Sequence, residues 1–446
     1  MGADVHSRSG QGNSGRWVVA IAAFLVMVTI GTLYSWAIFT QPLLAAFHWD
    51  VTTTTWAYAT ANFCVAALGA VAGGFWQDRV GPRRVALTGV TLWGVGNILA
   101  GLGTAAWGAP WLYLTYGVLG GVGAGMAYIT PVSMVTKWFP GQRGLAGGLV
   151  ACGFGFGAFL YNELVPRLAE FHTATDHASL VIAAHAVGGM TTTDIGAVLQ
   201  VFVGSGVIYL LIGLPAAALF RNPSKESIDR AARANGDLSR GLVPREVIRT
   251  RQFYLLWLQL FVNVIAGITI ISNASFILED LTNLPMARIA SLFGMVSLFN
   301  AIGRLFWGSV SDRIGCRQTF ALMFAIQSLV LFLLSDVHDL HLALAGFAII
   351  LLCCGGGFGT MPAYSAEFFG TRCMGLNYGL ILSAWGAAGV VGPLLMARAK
   401  DLSGSFAGLM PLVAAVLCVS TVLPFLMTPL SSTTGGLKLA TEPGID

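Results

Sequence analysis

The sequence predicts an all-α membrane protein: twelve transmembrane helices arranged as two pseudo-symmetric six-helix bundles. Of its 446 residues, 56% are apolar and only 10% are Asp, Glu, Lys or Arg, with a mean hydropathy of +0.75; a soluble domain has roughly 25% charged residues. Twelve apolar runs are each long enough to cross about 30 Å of hydrocarbon, which takes roughly 20 helical residues. A loop motif occurs once in each half of the chain. A soluble globule is excluded, and a chain without water around it must satisfy its backbone polar groups internally. Long uninterrupted apolar runs do so as helices rather than as alternating barrel strands.

The polar start, Met1 to Arg16, precedes segment 1 (17–46). No small-residue cleavage site follows it, so segment 1 reads as an anchor rather than a cleaved leader. Segments 2 (55–76) and 3 (84–105) flank a short charged loop. Segments 4 (110–137) and 5 (143–166) carry Gly117, Gly120, Gly121, Gly123, Gly125 and Gly147, Gly148, Gly153, Gly155, Gly157, small-residue faces that let helices approach closely. Before segment 6 (197–220), the stretch 169–196 is polar and Thr-rich with His172, His177 and His185, and reads as a solvated loop rather than a metal site. Arg221 to Arg251 holds eight basic residues, several acids, Gly236 and two prolines, and reads as a linker. Segments 7 (252–278), 8 (286–308), 9 (317–336), 10 (341–365), 11 (373–397) and 12 (404–427) make the second bundle. The expected division is a tail (1–16), a bundle (17–220), a linker (221–251), a bundle (252–427) and a tail (428–446).

Basic residues accumulate in cytoplasmic loops. With the N-terminus inside, 19 of the 24 lysines and arginines fall on the cytoplasmic side, Arg167, Arg288, Arg398 and Lys400 fall outside, and Arg304 lies within a span. A multi-pass protein of the cell (inner) membrane with both termini cytoplasmic is expected, in contact with membrane lipid and as a monomer. The net charge of +4 is scattered, with no dense basic patch interleaved with aromatics, so nucleic acid is not an expected partner. The seven cysteines form no zinc-type pairs and read as packing residues. Gly121-Val-Gly123-Ala-Gly125 follows no strand, which argues against a nucleotide loop. Asn273-Ala-Ser275 falls in or near segment 7, where a glycosylation triplet has no meaning. No buried Ser/His, Asp pair or metal-ligand cluster appears in the segments, so neither an enzyme nor a cofactor is expected. A receptor of the same build would need a signalling domain for which the tails and linker are too short.

One internal echo is clear. Gly74-Phe-Trp-Gln-Asp78-Arg79-Val-Gly81-Pro-Arg83-Arg84 follows segment 2, and Gly308-Ser-Val-Ser-Asp312-Arg313-Ile-Gly315-Cys-Arg317 follows segment 8. Both fit G-x-x-x-D-R-x-G-x-R. A second echo pairs Trp138-Phe139 through Gly144-Leu145 with Phe368-Phe369 through Gly375-Leu376. Two six-helix repeats are the simplest account. The duplicated D-R-x-G loop resembles the signature of the major facilitator superfamily, over essentially the whole chain. Asp78, Arg79, Gly81, Arg84, Asp312, Arg313 and Gly315, with Glu367 and Arg372, are expected to form a conformational latch, an acid at a helix end pairing with arginines or with a neighbouring helix N-terminus.

A charge deep in a span is costly and marks a functional candidate. Arg304 is the only basic one, eight residues before Asp312, which is on the order of 12 Å along a helix. Asn300 lies one turn earlier on the same face. Under the repeat offset their counterparts are Ala66 and Ala70, so the pair is not part of the duplicated scaffold. With no obvious internal carboxylate to neutralise it, the guanidinium fork suits a substrate carboxylate. Tyr34, Tyr128, Phe154, Phe358, Tyr378 and Trp385 are the aromatic candidates for a cavity wall.

A closer resemblance is to the oxalate/formate antiporter and monocarboxylate transporter branch. It rests on Thr32-Leu-Tyr34-Ser-Trp36, Lys137-Trp-Phe-Pro-x-x-Arg143-Gly-Leu-Ala, Asn300-x-x-x-Arg304 with Phe306-Trp-Gly308, and Asn377-Tyr-Gly379. In that branch the segment 8 arginine binds the substrate carboxylate, which the resemblance carries to Arg304. Oxalate exchangers add a lysine in segment 11, where this chain has Trp385. A dianion beside a single buried cation leaves about one charge uncompensated, so a monoanion fits better. Animal monocarboxylate transporters carry an aspartate where this chain has Asn300, and no histidine lies in a span. The expectation is a secondary transporter for a small monocarboxylate of the lactate, pyruvate or formate type, working by alternating access with proton symport, the proton travelling with the substrate. The alternative is an oxalate/formate-type anion exchanger.

Overall fold

The computed structural model describes residues 4–175, 195–224, 226–227, 241–282, 286–335, 337, 339–403 and 409–428. His177, His185, linker residues 228–240 and the C-terminal tail from 429 lie outside the described residues. The described residues are helical almost throughout. α1 (Asp4–Gly31) passes through a 3-10 turn at Thr32–Ser35 into α2 (Ala37–Phe47), and α3 (Val51–Phe63) passes through a π-helical turn at Cys64–Gly69 into α4 (Ala70–Val80). α5 (Pro82–Leu112) is broken at Gly108, whose φ is 67°, and continues through a π-helical turn at Tyr113–Gly120 into α6 (Gly121–Trp138). α7 (Arg143–Thr175) and α8 (Ile195–Ala218) complete the first half. The second half comprises the short α9 (Pro244–Val247), then α10 (Arg251–Thr282), α11 (Met286–Ile314), α12 (Cys316–Leu334), α13 (Leu340–Phe369), α14 (Met374–Ser403) and α15 (Leu409–Ser420).

Nine stretches among the described residues are long and apolar enough to cross a membrane. One of them, Pro82–Trp138, has 57 residues; at 1.5 Å per residue it would span about 85 Å, and the break at Gly108 divides it into two crossings. α11 carries Arg304, Asp312 and Arg313 and is not among the nine. With α11 and the shorter apolar run Met410–Leu426, the crossings fall at the twelve predicted segments. Leu102, Leu211 and Val419, each more than half exposed, face outward as side chains against hydrocarbon do. Asn273 and Ser275 lie within α10.

The duplicated motif folds the same way twice. Gly81 (φ 88°) and Gly315 (φ 90°) each end one helix and begin the next, a backbone region that only glycine enters without strain. Asp50 and Asp339 cap α3 and α13, their carboxylates accepting from Thr53 N–H at 2.8 Å and Leu342 N–H at 2.9 Å. The two halves meet along α7 with α11 and along α4 with α14. Glycine makes both contacts close. A Cβ on Gly144, Gly148 or Gly155 would strike Gly308, Arg304 or Ala301, and one on Gly74 or Gly379 would strike Gly375 or Ala70. The end of the bundle that carries the D-R-x-G loops is therefore sealed in this conformation.

Candidate functional site

The same close packing builds the site. Because Gly148 and Gly155 bring α7 onto α11, Phe154 reaches one face of the Arg304 guanidinium, 5.1 Å from ring centre to Cζ. Gly355 and Gly359 seat α13 on the carbonyls of Asn300 and Arg304, and the Phe358 ring centre lies 4.8 Å from the Arg304 Cζ. The cation thus lies over two aromatic rings, contacts that stabilise it by about 2 kcal/mol when desolvated. Arg304 is only 1% exposed. Its Nη1 donates to the Ala151 carbonyl at 3.1 Å and its Nη2 to Asn300 Oδ1 at 3.3 Å. Asn300 in turn donates to the Leu351 carbonyl at 3.5 Å. The partners of the guanidinium are therefore neutral, and Nε has none. No carboxylate among the described residues pairs with this buried charge.

Trp385 closes the cage. Its ring lies 5.9 Å from Tyr34, 5.7 Å from Tyr128, 6.0 Å from Phe154 and 5.5 Å from Phe358. Tyr34 also meets Phe154 edge to face at 4.8 Å. The 3-10 turn at Thr32–Ser35 presents Tyr34, and it is tied to α7 by Ser35 Oγ donating to the Ala158 carbonyl at 3.1 Å. Tyr378 lies beside Tyr128 and within electrostatic reach of Arg304. The hydroxyls of both tyrosines are buried, and that of Tyr128 faces Tyr378 and Arg304. The other seven candidates for the cavity therefore gather around the Arg304 guanidinium, drawn from α7, α11, α13, α14, α6 and the turn after α1. Two groups beside the cation carried no signal in the sequence beyond packing: Cys152 and Cys354 both lie within its field, and Cys354 faces Asn300 and Gly267. The Ala151 carbonyl is a backbone group that no residue type announces.

The latch candidates separate into two sets. Asp312 accepts from the N–H groups of Gly144 and Leu145 at 2.8 and 2.7 Å, at the N-terminus of α7 in the opposite half. Asp78 accepts from Gly375 and Leu376 at 3.2 and 2.9 Å, at the N-terminus of α14. Each carboxylate meets orphan N–H groups at the positive end of a helix dipole, with Lys137 close to Asp78. Gly81 and Gly315 set the turns behind them. Arg79 is exposed over the Phe75 ring at 3.7 Å, and Arg84, Arg313 and Arg372 are exposed. Glu367 faces Cys316 and Tyr364 of its own half. No group of three or more metal-type ligands occurs among the described residues.

Comparison with known proteins gives the same fold and a chemical context. Residues 17–393 match the profile of the Major Facilitator Superfamily. The chain is 27% identical over 389 residues to the Oxalate:formate antiporter of Oxalobacter formigenes, covering 84% of this chain and 83% of that protein. It is 28% identical over 423 residues to Apicoplast pyruvate carrier 1 of Toxoplasma gondii, covering 85% and 75%. Among solved structures, the E. coli fucose:proton symporter FucP superposes with a TM-score of 0.66 at 15% identity, over 91% of this chain and 98% of that one, a likeness of fold alone.

Proposed function

This chain belongs to the major facilitator superfamily and is a membrane transporter rather than an enzyme; we propose that it carries a small monocarboxylate, bound by Arg304 within the aromatic cage. The observation that carries this reading is a fully buried guanidinium with two neutral acceptors, an unpartnered Nε and no carboxylate beside it among the described residues. Phe154 and Phe358 pack against the guanidinium, and its fork offers two parallel N–H groups that match one carboxylate. Asn300 holds the fork in orientation. Tyr34, Tyr128, Tyr378 and Trp385 surround the guanidinium and exclude water, which strengthens the charge pairing with a bound carboxylate. One buried cation offsets one negative charge, so lactate, pyruvate or formate suits the site better than oxalate.

Alternating access follows from the two helix pairs between the halves. The chain is sealed at the D-R-x-G end, which basic-residue bias assigns to the cytoplasm, by Asp78 and Asp312 on the helix N-termini. Opening that end parts α7 from α11 and α4 from α14. It also breaks the Arg304–Ala151 hydrogen bond, which joins the halves at the substrate. The described residues place no carboxylate or histidine beside Arg304, so in proton symport the proton would travel with the substrate. A second reading, exchange of one anion for another, is favoured by that observation and by the likeness to the Oxalate:formate antiporter. Uptake of labelled lactate, pyruvate and formate into proteoliposomes tests the assignment. Arg304→Lys, which keeps the charge but loses the planar fork and its two-ring contact, is expected to lower uptake at least tenfold; native rates in this variant would sink it.

A further inference from the structure

At the D-R-x-G end of the first half, away from the transport site, residues 15–17 of α1 and the C-terminal ends of α6 and α8 converge on two arginines and three aromatic rings. Arg16 lies with its Cζ 5.3 Å from the Phe139 ring and 5.9 Å from that of Trp17. Trp17 and Phe139 meet edge to face at 5.3 Å. Arg221, just past α8, brings Nη2 against Gly15, where an added Cβ would lie 3.0 Å from it. The backbone of Arg221 is fixed by Trp138, whose Nε1 donates to its carbonyl at 2.8 Å. Both arginines thus stand at the same point of α1, one as residue 16 and the other packed against Gly15, and neither has a carboxylate partner among the described residues. Arg16 Nε is buried and unpartnered, while Trp17 is 44% exposed.

We propose that this cluster binds the phosphate headgroup of an anionic phospholipid, from the leaflet at the D-R-x-G end. The Phe139 and Trp17 rings beside the Arg16 guanidinium restrict its movement and supply no anionic partner, and a phosphodiester takes the paired fork geometry that guanidinium offers. Exposed tryptophan beside it sits where indole rings gather, at the boundary of headgroup and hydrocarbon. Basic pockets between membrane helices select anionic headgroups by the same chemistry. Neither arginine touches the transport cage, so the site is independent of the cargo.

The test is thermal unfolding of the purified full chain in detergent, titrated with phosphatidylglycerol, with phosphatidylcholine or with inorganic phosphate. Phosphatidylglycerol is expected to raise Tm above the value in phosphatidylcholine. The Arg16→Gln/Arg221→Gln double variant is expected to lose most of that rise, and Arg221→Gln alone, an exposed position that keeps the fold, to lose part of it. Native mass spectrometry should show fewer retained phosphatidylglycerol molecules on both variants. An undiminished rise in both variants would overturn the proposal. So would an equal rise with inorganic phosphate, which would assign the site to a free anion.

Discussion

Arg304 differs from an ordinary buried arginine in what its removal does. A buried cation paired with a carboxylate is destabilising to delete, by about 3–5 kcal/mol, because the partner is left uncompensated. Here the acceptors are the Ala151 carbonyl and the Asn300 side chain, neutral groups that lose about 1.5–3 kcal/mol each with a charged donor. Against this stands the penalty of burying the charge, several kcal/mol per ion even after relaxation. The terms nearly cancel. Arg304→Gln is therefore expected to unfold within about 5 °C of the native chain, or above it, while transport is lost. Thermal unfolding of both proteins in the same detergent measures this; a larger fall would mean that a carboxylate partner exists in the folded state and that the free-cation argument is wrong.

At the scale of helices, the close approach of α7 to α11 depends on particular glycines. A Cβ on Gly148 would collide with the Arg304 backbone carbonyl, which has no freedom to move, whereas one on Gly147 would meet the Gly359 carbonyl at 3.5 Å, an ordinary contact. Gly148→Ala is accordingly expected to part the two helices at the sealed end, at a cost of about 1–3 kcal/mol, and Gly147→Ala to leave the seal intact. Spin labels introduced by Gln142→Cys and Arg313→Cys, with native cysteines replaced, would report a population of longer distances only for the first. Equal distance distributions in the two variants would remove the glycine contact from the seal. The sequence marked both glycines as members of one small-residue face and gave no means of choosing between them, because a helix pattern reports which residues share a face but not which residue of a partner helix lies opposite. The D-R-x-G turns were legible for a local reason: the motif demands a positive φ at its glycine, and Gly81 and Gly315 adopt nearly identical values. Arg304 and its aromatic cage were legible because charge inside a span is rare. The 3-10 turn that aims Tyr34 was not, since Thr32 to Ser35 carry no helix breaker, and the π-helical turn at Cys64–Gly69 likewise has no signature in residue type.

For the whole molecule, the proposed binding of a monocarboxylate by Arg304 predicts an order of transport rates. When a monocarboxylate occupies the cage, the charge of Arg304 is offset and the two halves move around a neutral centre. When the cage is empty, the same movement carries a bare guanidinium through the membrane interior, with only the Ala151 and Asn300 acceptors, and the first of these is lost as α7 and α11 part. Each unit of charge moved against 100 mV costs about 2.3 kcal/mol, and the loss of a hydrogen bond to a charged group adds about 1.5–3 kcal/mol. Return of the empty carrier should therefore be the slow step. Labelled lactate is expected to enter proteoliposomes preloaded with unlabelled lactate at least tenfold faster than empty ones, a difference of about 1.4 kcal/mol in barrier. An imposed pH gradient should have little effect on this exchange, since no proton-carrying carboxylate stands beside Arg304 among the described residues. If empty vesicles fill as fast as loaded ones, and faster still when protons flow inward, the unloaded carrier must acquire a compensating charge change of its own, and proton symport rather than exchange would be the working cycle.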